Sequence, residues 1–284
     1  MQRKEWNKKI KVWQIIVCGI LVFVLATLGV LQIGVAYTEK NWEHWYPDYE
    51  KIDLSPILEK QTLEEADYDT IYRQTGLTKL AVDDMRDENG VAQILRIQEF
   101  LFQPHKVKII HFNPFTYAEE IDGFAEFAYF RDGDIIVTAT TRVSWWRYGH
   151  AAMVVDGANG LIIESLEPGS KSRINSVDDF SYLANFMILR PKVAEPLKAQ
   201  IVDYAKKEMI GIPYRLTTGI FFKKYDENGL RYSQCAHFVW YAYKKFGIDL
   251  DFNGGAIVKP QDIALSPHVE LVQAFGFNFD KLWA

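Results

Sequence analysis

The stretch that decides the fold is residues 151–165, which read AAMVVDGANGLIIES. Two apolar runs rich in β-branched residues flank a centre that contains both Asp-Gly and Asn-Gly, strong short-range signals for a hairpin. The sequence therefore predicts two antiparallel strands, residues 151–155 and 161–165, joined by a tight turn. His150 opens the first strand, and Glu164 lies on the second.

Further strands and helices are predicted on both sides of this hairpin. The predicted strands are residues 107–110, 124–130, 134–138 and 186–189. One helix is predicted over residues 196–209, with a proline in its first turn and two lysines in its last. A second runs from about Cys235 to Phe246 and is ended by Gly247. The pattern predicts an α+β fold with an antiparallel sheet packed on the second helix.

Cys235 is the leading candidate for a nucleophile. It lies where a loop, residues 228–234, meets the second helix, so its thiol is at the positive end of the helix dipole, which stabilises a thiolate. The N–H groups of that helix end are also suited to form an oxyanion hole. The alternative is a buried cysteine that behaves as a small apolar residue.

His150 is the candidate base, because a histidine at the mouth of a strand is rigidly held and can face a cleft. Glu164 is expected opposite His150 or one pair inward, where its carboxylate would orient the imidazole as the third group of a triad. Asp156 is a competing carboxylate, but it lies in the turn, where capping of the turn is its expected role.

The remaining histidines fit the role of base less well. His237 lies two positions after Cys235 on the same helix and therefore points to a different face. His105 and His111 flank a short strand that has no acidic partner at hairpin spacing. His268 follows Cys235 in the chain, but the chain after His268 is expected to be too short to form the sheet that must hold a base.

An ordered set of short motifs covers residues 132–272, roughly half of the chain. The motifs are RDGDII at 131–136, YGHAAMV at 148–154, LIIES at 161–165, IGIPY at 210–214, YSQCAHFVW at 232–240, PQDI at 260–263 and SP at 266–267. In this order they resemble the permuted branch of the NlpC-type papain-like cysteine hydrolases, the YiiX/YebB-like group. The resemblance implies a circularly permuted papain-like fold and hydrolysis through an acyl-thioester on Cys235, with His150 and Glu164 completing a triad.

Two departures from the family pattern leave the triad intact and the substrate preference open. Ala236 and His237 follow the cysteine where the family commonly has Ser and then an acidic residue, and Arg215 stands where Asn or Asp is frequent. Tyr214 and Tyr148 are expected to border the substrate pocket. For Tyr214, core packing with a satisfied hydroxyl is the alternative.

The expected function is that of a cell-surface thiol hydrolase that cleaves an amide bond, with peptidoglycan peptides as substrate. Because relatives act on cell-wall peptides or on lipid-like acyl groups, a lipid acyl hydrolase or acyltransferase is an alternative, and a non-catalytic peptide-binding module of the same fold is another. The sequence has no histidine cluster at metal-ligand spacing, no P-loop and no dinucleotide-binding glycine motif, so we expect no metal and no cofactor.

Residues 12–37 carry no charge and form a segment long enough to cross a hydrocarbon core of about 30 Å as a helix. Basic residues precede it in a tail, residues 1–11, and acidic residues follow, which predicts a cytoplasmic N-terminus and an extracytoplasmic body. The alternatives are a cleaved secretory signal, which would release the protein, and a buried core helix.

The remaining boundaries follow from composition. Residues 38–56 are predicted to be a juxtamembrane linker with His44 beside the membrane, and its aromatic rings are suited to the membrane interface: Trp42, Trp45, Tyr46 and Tyr49. Residues 57–105 are predicted to be a helical segment, with a capping box at 62–65 and breaks at Gly76 and Asn89-Gly90. Residues 106–284 form the predicted hydrolase domain.

The charge argues against nucleic-acid binding, and the cysteine count argues against a fold held by disulfides. The net charge is −5, and residues 1–37 contribute +4, which leaves −9 on the body. An acidic body is a poor partner for nucleic acid. With Cys18 in the apolar segment and Cys235 in the body, no disulfide framework is expected. The oligomeric state stays open.

Overall fold

The computed structural model describes residues 2–40 and 45–283, with side chains from residue 11 onward. The helices are α1 (Gln2–Lys40), α2 (Ser55–Leu58), α3 (Glu65–Thr75), α4 (Lys79–Asp87), α5 (Val91–Leu101), α6 (Glu195–Glu208), α7 (Cys235–Lys244) and α8 (Pro260–Ala264). The strands are β1 (Val107–Asn113), β2 (Thr116–Ile121), β3 (Ile135–Thr138), β4 (Arg142–Val143), β5 (Trp146–Arg147), β6 (His150–Asp156), β7 (Leu161–Glu164), β8 (Arg173–Ser176), β9 (Phe186–Pro191) and β10 (Val269–Phe275). The fold is α+β, with antiparallel sheets and an apolar N-terminal helix.

The larger sheet has the strand order β10-β9-β3-β6-β7-β8, and every neighbouring pair in it is antiparallel. Its centre contains the predicted hairpin, β6 and β7, in which Met153 pairs with Ile163. The Asp156 carboxylate accepts a hydrogen bond from the backbone N–H of Asn159 at 3.1 Å, so Asp156 caps the turn as predicted. The hairpin prediction is confirmed.

Strand β6 has apolar side chains on both faces, which requires that both faces of the sheet be covered. Ala151, Met153 and Val155 pack in the core that α6 and α7 cover. Ala152 and Val154 pack in the core that α3, α4 and α5 cover. The predicted helical segment, residues 57–105, is therefore one of two layers that enclose the sheet.

The breaks predicted within this helical segment are confirmed. Gly76 ends α3 with a φ of 75°, a left-handed conformation that favours glycine, and Asn89 separates α4 from α5 with a φ of 61°. The predicted capping box lies two residues later than expected, because the side chains of Glu64 and Asp67 cap α3 in place of residues 62 and 65.

The carboxylate of Asp134, in the RDGDII motif, has a structural role. Arg190 on β9 donates to both of its oxygens, at 3.0 and 2.8 Å, and to Asp84 on α4 at 2.7 Å. Asp134 is fully buried, so the arginine neutralises a charge that would otherwise be costly inside the protein. This pair ties the sheet to the helical layer.

Two strand predictions are wrong. Residues 124–130 form no strand, because their backbone is held by single contacts instead of a ladder: the N–H of Ala128 donates to the Gln273 side chain at 2.6 Å, and the N–H of Ala125 donates to the carbonyl of Ser181 at 2.9 Å. The chain after His268 does enter the sheet, as β10, which pairs with β9.

The smaller sheet has the order β1-β2-β4-β5 and lies beside the end of α1. Within α1, the segment Lys11–Lys40 is long and apolar enough to cross a membrane or to be a signal sequence, with a mean hydropathy of 2.6. The helix continues past residue 37, so the first residues of the predicted linker are helical.

The aromatic rings of the predicted linker lie on the body of the protein. The Trp45 ring packs on Phe279 at a centroid distance of 4.7 Å, and the Tyr46 hydroxyl donates to the carbonyl of His105 at 2.5 Å. The Tyr49 hydroxyl donates to the carbonyl of Arg73. These three rings therefore have partners on the body, and their position relative to a membrane stays a prediction. Trp42 and His44 lie outside the described residues.

Candidate active site

Cys235 is the first residue of α7, as predicted. The residue before it, Gln234, has an extended backbone, and its side-chain oxygen accepts a hydrogen bond from the backbone N–H of Ala236 at 3.0 Å. The Gln234 amide nitrogen donates to the carbonyl of Val258 at 2.6 Å. The cysteine is thus fixed at the positive end of the helix dipole by a cap that is itself anchored.

The register of the central hairpin brings His150 and Glu164 together. Because Met153 pairs with Ile163, Glu164 is opposite Ala152, two residues along β6 from His150. Such a diagonal pair on one face is within reach of long side chains. The Nε2 atom of His150 lies 2.7 Å from Oε2 of Glu164.

This pair is shielded from solvent and supported on both sides. His150 is 7% exposed and Glu164 is 3% exposed. The second oxygen of Glu164 accepts a hydrogen bond from the Asn175 side chain at 3.0 Å, and the His150 ring stacks on Phe180 at 5.6 Å between centroids. Burial raises the pKa of Glu164, but its contacts with His150 and Asn175 outweigh burial and hold that pKa below its usual value.

The Cys235 thiol donates to the Gln234 side-chain oxygen at 3.3 Å and interacts electrostatically with His150, so the thiol lies beside the imidazole–carboxylate pair. Since Nε2 of His150 contacts Glu164, Nδ1 is the ring nitrogen left for the sulfur. Burial lowers the pKa of His150, but the hydrogen bonds and charges of Cys235 and Glu164 outweigh burial and raise it to about 10. The arrangement favours the protonated form of His150 beside the Glu164 carboxylate.

Gly149 lets the histidine strand begin where it does. Its φ is 73°, and a Cβ at this position would collide with the carbonyl oxygen of Thr138 and crowd the Pro260 ring. Thr138 pairs with His150 across β3 and β6, so this close approach fixes the backbone beside the imidazole. Only glycine satisfies both the conformation and the space.

Cys235 acts electrostatically on both Tyr148 and Tyr214. Burial raises the pKa of Tyr148 to about 12, and negative charge at Cys235 adds to the effect. Burial also raises the pKa of Tyr214, again with a contribution from Cys235 and a further one from Tyr148. Both predicted pocket residues therefore lie within electrostatic range of the candidate nucleophile, and Tyr214 also forms a backbone bridge with Ser233, two residues before it.

The other described histidines are engaged elsewhere. His237 is buried on another face of α7, with Nδ1 2.8 Å from the Ser233 hydroxyl and Nε2 donating to the carbonyl of Lys224 at 2.6 Å. Burial lowers the pKa of His237 to about 4, so it is neutral. His105 Nε2 contacts the Phe100 carbonyl at 2.8 Å.

His111 and His268 are exposed, and neither lies on β6, the strand that begins with His150. The Nε2 atom of His111 is 2.8 Å from a carboxylate oxygen of Glu39 at the end of α1. His268 precedes β10, which is separated from β6 by two strands in the sheet. The preference for His150 therefore rests on position in the sheet, not on the length of chain after His268.

Sequence reasoning missed Gln234, Asn175 and Phe180 as parts of the site. Gln234 had a readable signal, because a polar residue directly before a helix is a candidate cap. Asn175 and Phe180 had none, since their contacts depend on β8 and the turn after it folding back beside Glu164. Among the described residues, no group of three or more His, Cys, Asp or Glu side chains is arranged to hold a metal ion.

Comparisons with models of known protein families, with curated proteins and with solved structures found no match to this chain. The functional argument therefore rests on the geometry of the site and on the motifs quoted from the sequence.

Proposed function

We propose that this protein is a thiol hydrolase in which Cys235 attacks a carbonyl carbon, His150 transfers the proton and Glu164 orients His150. The observation that carries the proposal is the hydrogen-bonded pair of His150 and Glu164, with a cysteine at a helix N-terminus in electrostatic contact with the imidazole. Nucleophile, base and orienting group in this order are the general pattern of nucleophilic catalysis.

In the first step, His150 takes the proton of the Cys235 thiol, the sulfur forms a bond to the substrate carbonyl carbon, and the carbonyl oxygen becomes an oxyanion. Collapse of this intermediate breaks the scissile bond, and His150 gives a proton to the leaving amine. A water molecule then attacks the acyl-thioester while His150 takes its proton. The acid is released, and the thiol and imidazole return to their starting pair.

The oxyanion is assigned to the N-terminal turn of α7. The N–H of Ala236 already donates to Gln234, so the backbone N–H of Cys235 itself is the candidate donor. Tyr148 and Tyr214, which lie near the sulfur, would border the acyl group of the substrate.

The chain order is consistent with a circularly permuted papain-like fold. The strands that hold His150 and Glu164 precede the helix that begins with Cys235, and the sheet packs on that helix. Together with the basic N-terminal tail, which favours an extracytoplasmic body, this supports an amide bond in a peptidoglycan peptide as the substrate.

The test uses the full-length protein in detergent or liposomes with a thiol-directed probe and peptide-resolved mass spectrometry. Cys235→Ala should abolish fast labelling, and Cys18→Ser, the matched control, should leave it unchanged. Labelling of Cys235 no faster than that of a free cysteine would contradict a catalytic thiol and favour a binding module.

The substrate is then identified by incubation with muropeptides and, separately, with acyl esters. Cleaved muropeptides that disappear with Cys235→Ala support the amide hydrolase, whereas turnover of acyl esters alone would assign the thiol to lipid chemistry. Protease added to intact protoplasts should digest the body, and full protection would remove the cell wall as a source of substrate.

A further inference from the structure

The last turns of α1 pack directly on the smaller sheet. The Gln32 side chain donates to the carbonyl of Pro114 at 2.7 Å, and the Ser144 hydroxyl donates to the carbonyl of Leu31 at 2.7 Å. Val35 is 4% exposed, although most of α1 is exposed along its length. These contacts join the helix to the loops before β2 and after β4.

A glycine in α1 makes this approach possible. A Cβ at Gly34 would collide with the Ser144 hydroxyl and the Trp145 ring, whereas Cβ atoms at Gly19 and Gly29 would meet nothing within 4 Å. The tight packing at Gly34 is therefore a local feature of the contact with the sheet and not a general property of the helix.

The contact lies at the outer end of the span that a bilayer requires. A hydrocarbon core of about 30 Å takes roughly 20 helical residues at about 1.5 Å each. Counted from Val12, the first residue after the basic tail, that length ends near Leu31. The sheet therefore meets α1 where the helix leaves the hydrocarbon, at the depth of the lipid headgroups.

The sheet presents apolar side chains to solvent beside this contact. Phe112 is 57% exposed, Trp145 is 54% exposed and Trp146 is 48% exposed. We call these three residues the aromatic edge. The nearby carboxylate of Glu119 is buried and paired with two arginines of β4 and β5, so its charge is compensated within the protein.

We propose that the aromatic edge is inserted in the interfacial zone of the same membrane that α1 spans, so that the body is docked on the bilayer. Tryptophan and other amphipathic rings favour that zone. The linker aromatics differ from this edge, because Trp45 packs on Phe279 and the Tyr49 hydroxyl donates to the Arg73 carbonyl. Continuity with α1 argues for lipid as the occupant, since α1 holds the edge at headgroup depth.

Docking also places the candidate site near the membrane. Trp146 and His150 are four residues apart, which limits their backbone separation to about 14 Å. The docking itself is independent of the proposed hydrolase function, because it rests on α1 and the smaller sheet alone.

The test measures tryptophan fluorescence of the full-length protein in liposomes that contain lipids brominated near the headgroup. We expect the bromolipid to quench emission from Trp145 and Trp146, so the Trp145→Phe, Trp146→Phe double variant should lose quenchable emission. Trp45→Phe, the control, should lose emission that the bromolipid does not quench. Equal loss of quenchable emission in both variants would overturn the proposal.

A pair of glycine substitutions tests the role of α1. Gly34→Leu should at least halve the quenchable emission from the aromatic edge, while Gly29→Leu, in the same helix, should leave it unchanged. Unchanged quenching in Gly34→Leu would refute docking through α1. If Gly34→Leu does not fold, as judged by circular dichroism, the tryptophan variants decide alone. Quenching that changes with the protein-to-lipid ratio would identify a second copy of the chain as the occupant and reject lipid.

Discussion

Neutralising Glu164 should move the deprotonation of His150 to lower pH. The carboxylate lies 2.7 Å from Nε2 of His150, and both groups are nearly excluded from solvent. Glu164→Gln removes the negative charge but keeps an oxygen that can accept the ring hydrogen bond. Because the charge of Glu164 stabilises the protonated ring, its loss makes deprotonation easier, and the pKa of His150 falls.

The size of the effect follows from Coulomb's law. Two unit charges about 4 Å apart interact by about 4 kcal/mol at an effective dielectric constant of about 20. At about 1.36 kcal/mol per pKa unit, this is an upper limit of about three units. The pKa of His150, raised to about 10 in the wild type, should therefore fall to between roughly 7 and 9 in Glu164→Gln.

The assay is the rate of alkylation of Cys235 by iodoacetamide between pH 5 and about pH 11, read from the Cys235 peptide by mass spectrometry. We expect an alkaline rise in rate where the His150 imidazolium beside the sulfur loses its proton. Glu167→Gln is the matched control, because Glu167 is exposed and its backbone N–H donates to the Ser170 hydroxyl within the turn. An alkaline step that stays in place in Glu164→Gln would refute the assigned role of Glu164.

Three further predictions concern stability, each measured by thermal or urea unfolding. Gly149→Ala should lower the melting temperature more than Gly169→Ala. A side chain at either position strains the positive φ by about 1–2 kcal/mol, but only the one at residue 149 also collides with a neighbouring carbonyl. Equal losses would show that the collision is relieved. The pKa of His237 is about 4 in the folded chain and 6.5 in the unfolded chain. As the pH falls from 6.5 to 4, the unfolded chain therefore binds a proton at this residue that the folded chain does not, and the free energy of unfolding should fall by up to about 3 kcal/mol. His237→Gln should flatten that fall, and an unchanged slope would assign it to other groups. Arg190→Met should destabilise the protein by about 3–5 kcal/mol, because it leaves a buried carboxylate unpaired, whereas the exposed Arg131→Met should cost less than about 1 kcal/mol; similar losses would contradict this difference.

The elements that the sequence predicted well are those whose signals are local. The hairpin of β6 and β7 follows from two apolar runs and a turn rich in glycine, and α6 begins beside Pro196 as expected. The edge strands β8 and β10 gave no comparable signal, because they are strands only through pairing with a neighbour. Residues 124–130 have the alternation of a strand but no strand to pair with, so they remain irregular.

The residues of the candidate site likewise fall into those with a local sequence signal and those without one. Cys235, His150 and Glu164 were nominated from a helix start and from hairpin spacing, which are properties of short segments. Asn175 and Phe180, which support the pair, were missed because their contacts arise only when β8 and the following turn pack beside it. The preference against His268 had the wrong reason, since β10 does join the sheet.

By itself, the sequence determined the hairpin, the apolar N-terminal helix and the identity of the candidate triad, because turn chemistry, hydropathy and helix capping act over a few residues. Only the tertiary structure decided that helices cover both faces of the sheet, that α1 packs on Ser144 and that Cys235 interacts electrostatically with His150, eighty-five residues before it. Such contacts form because burial of apolar surface is non-directional: it draws distant segments together, and the register of the sheet and the space left by Gly34 then select which side chains meet.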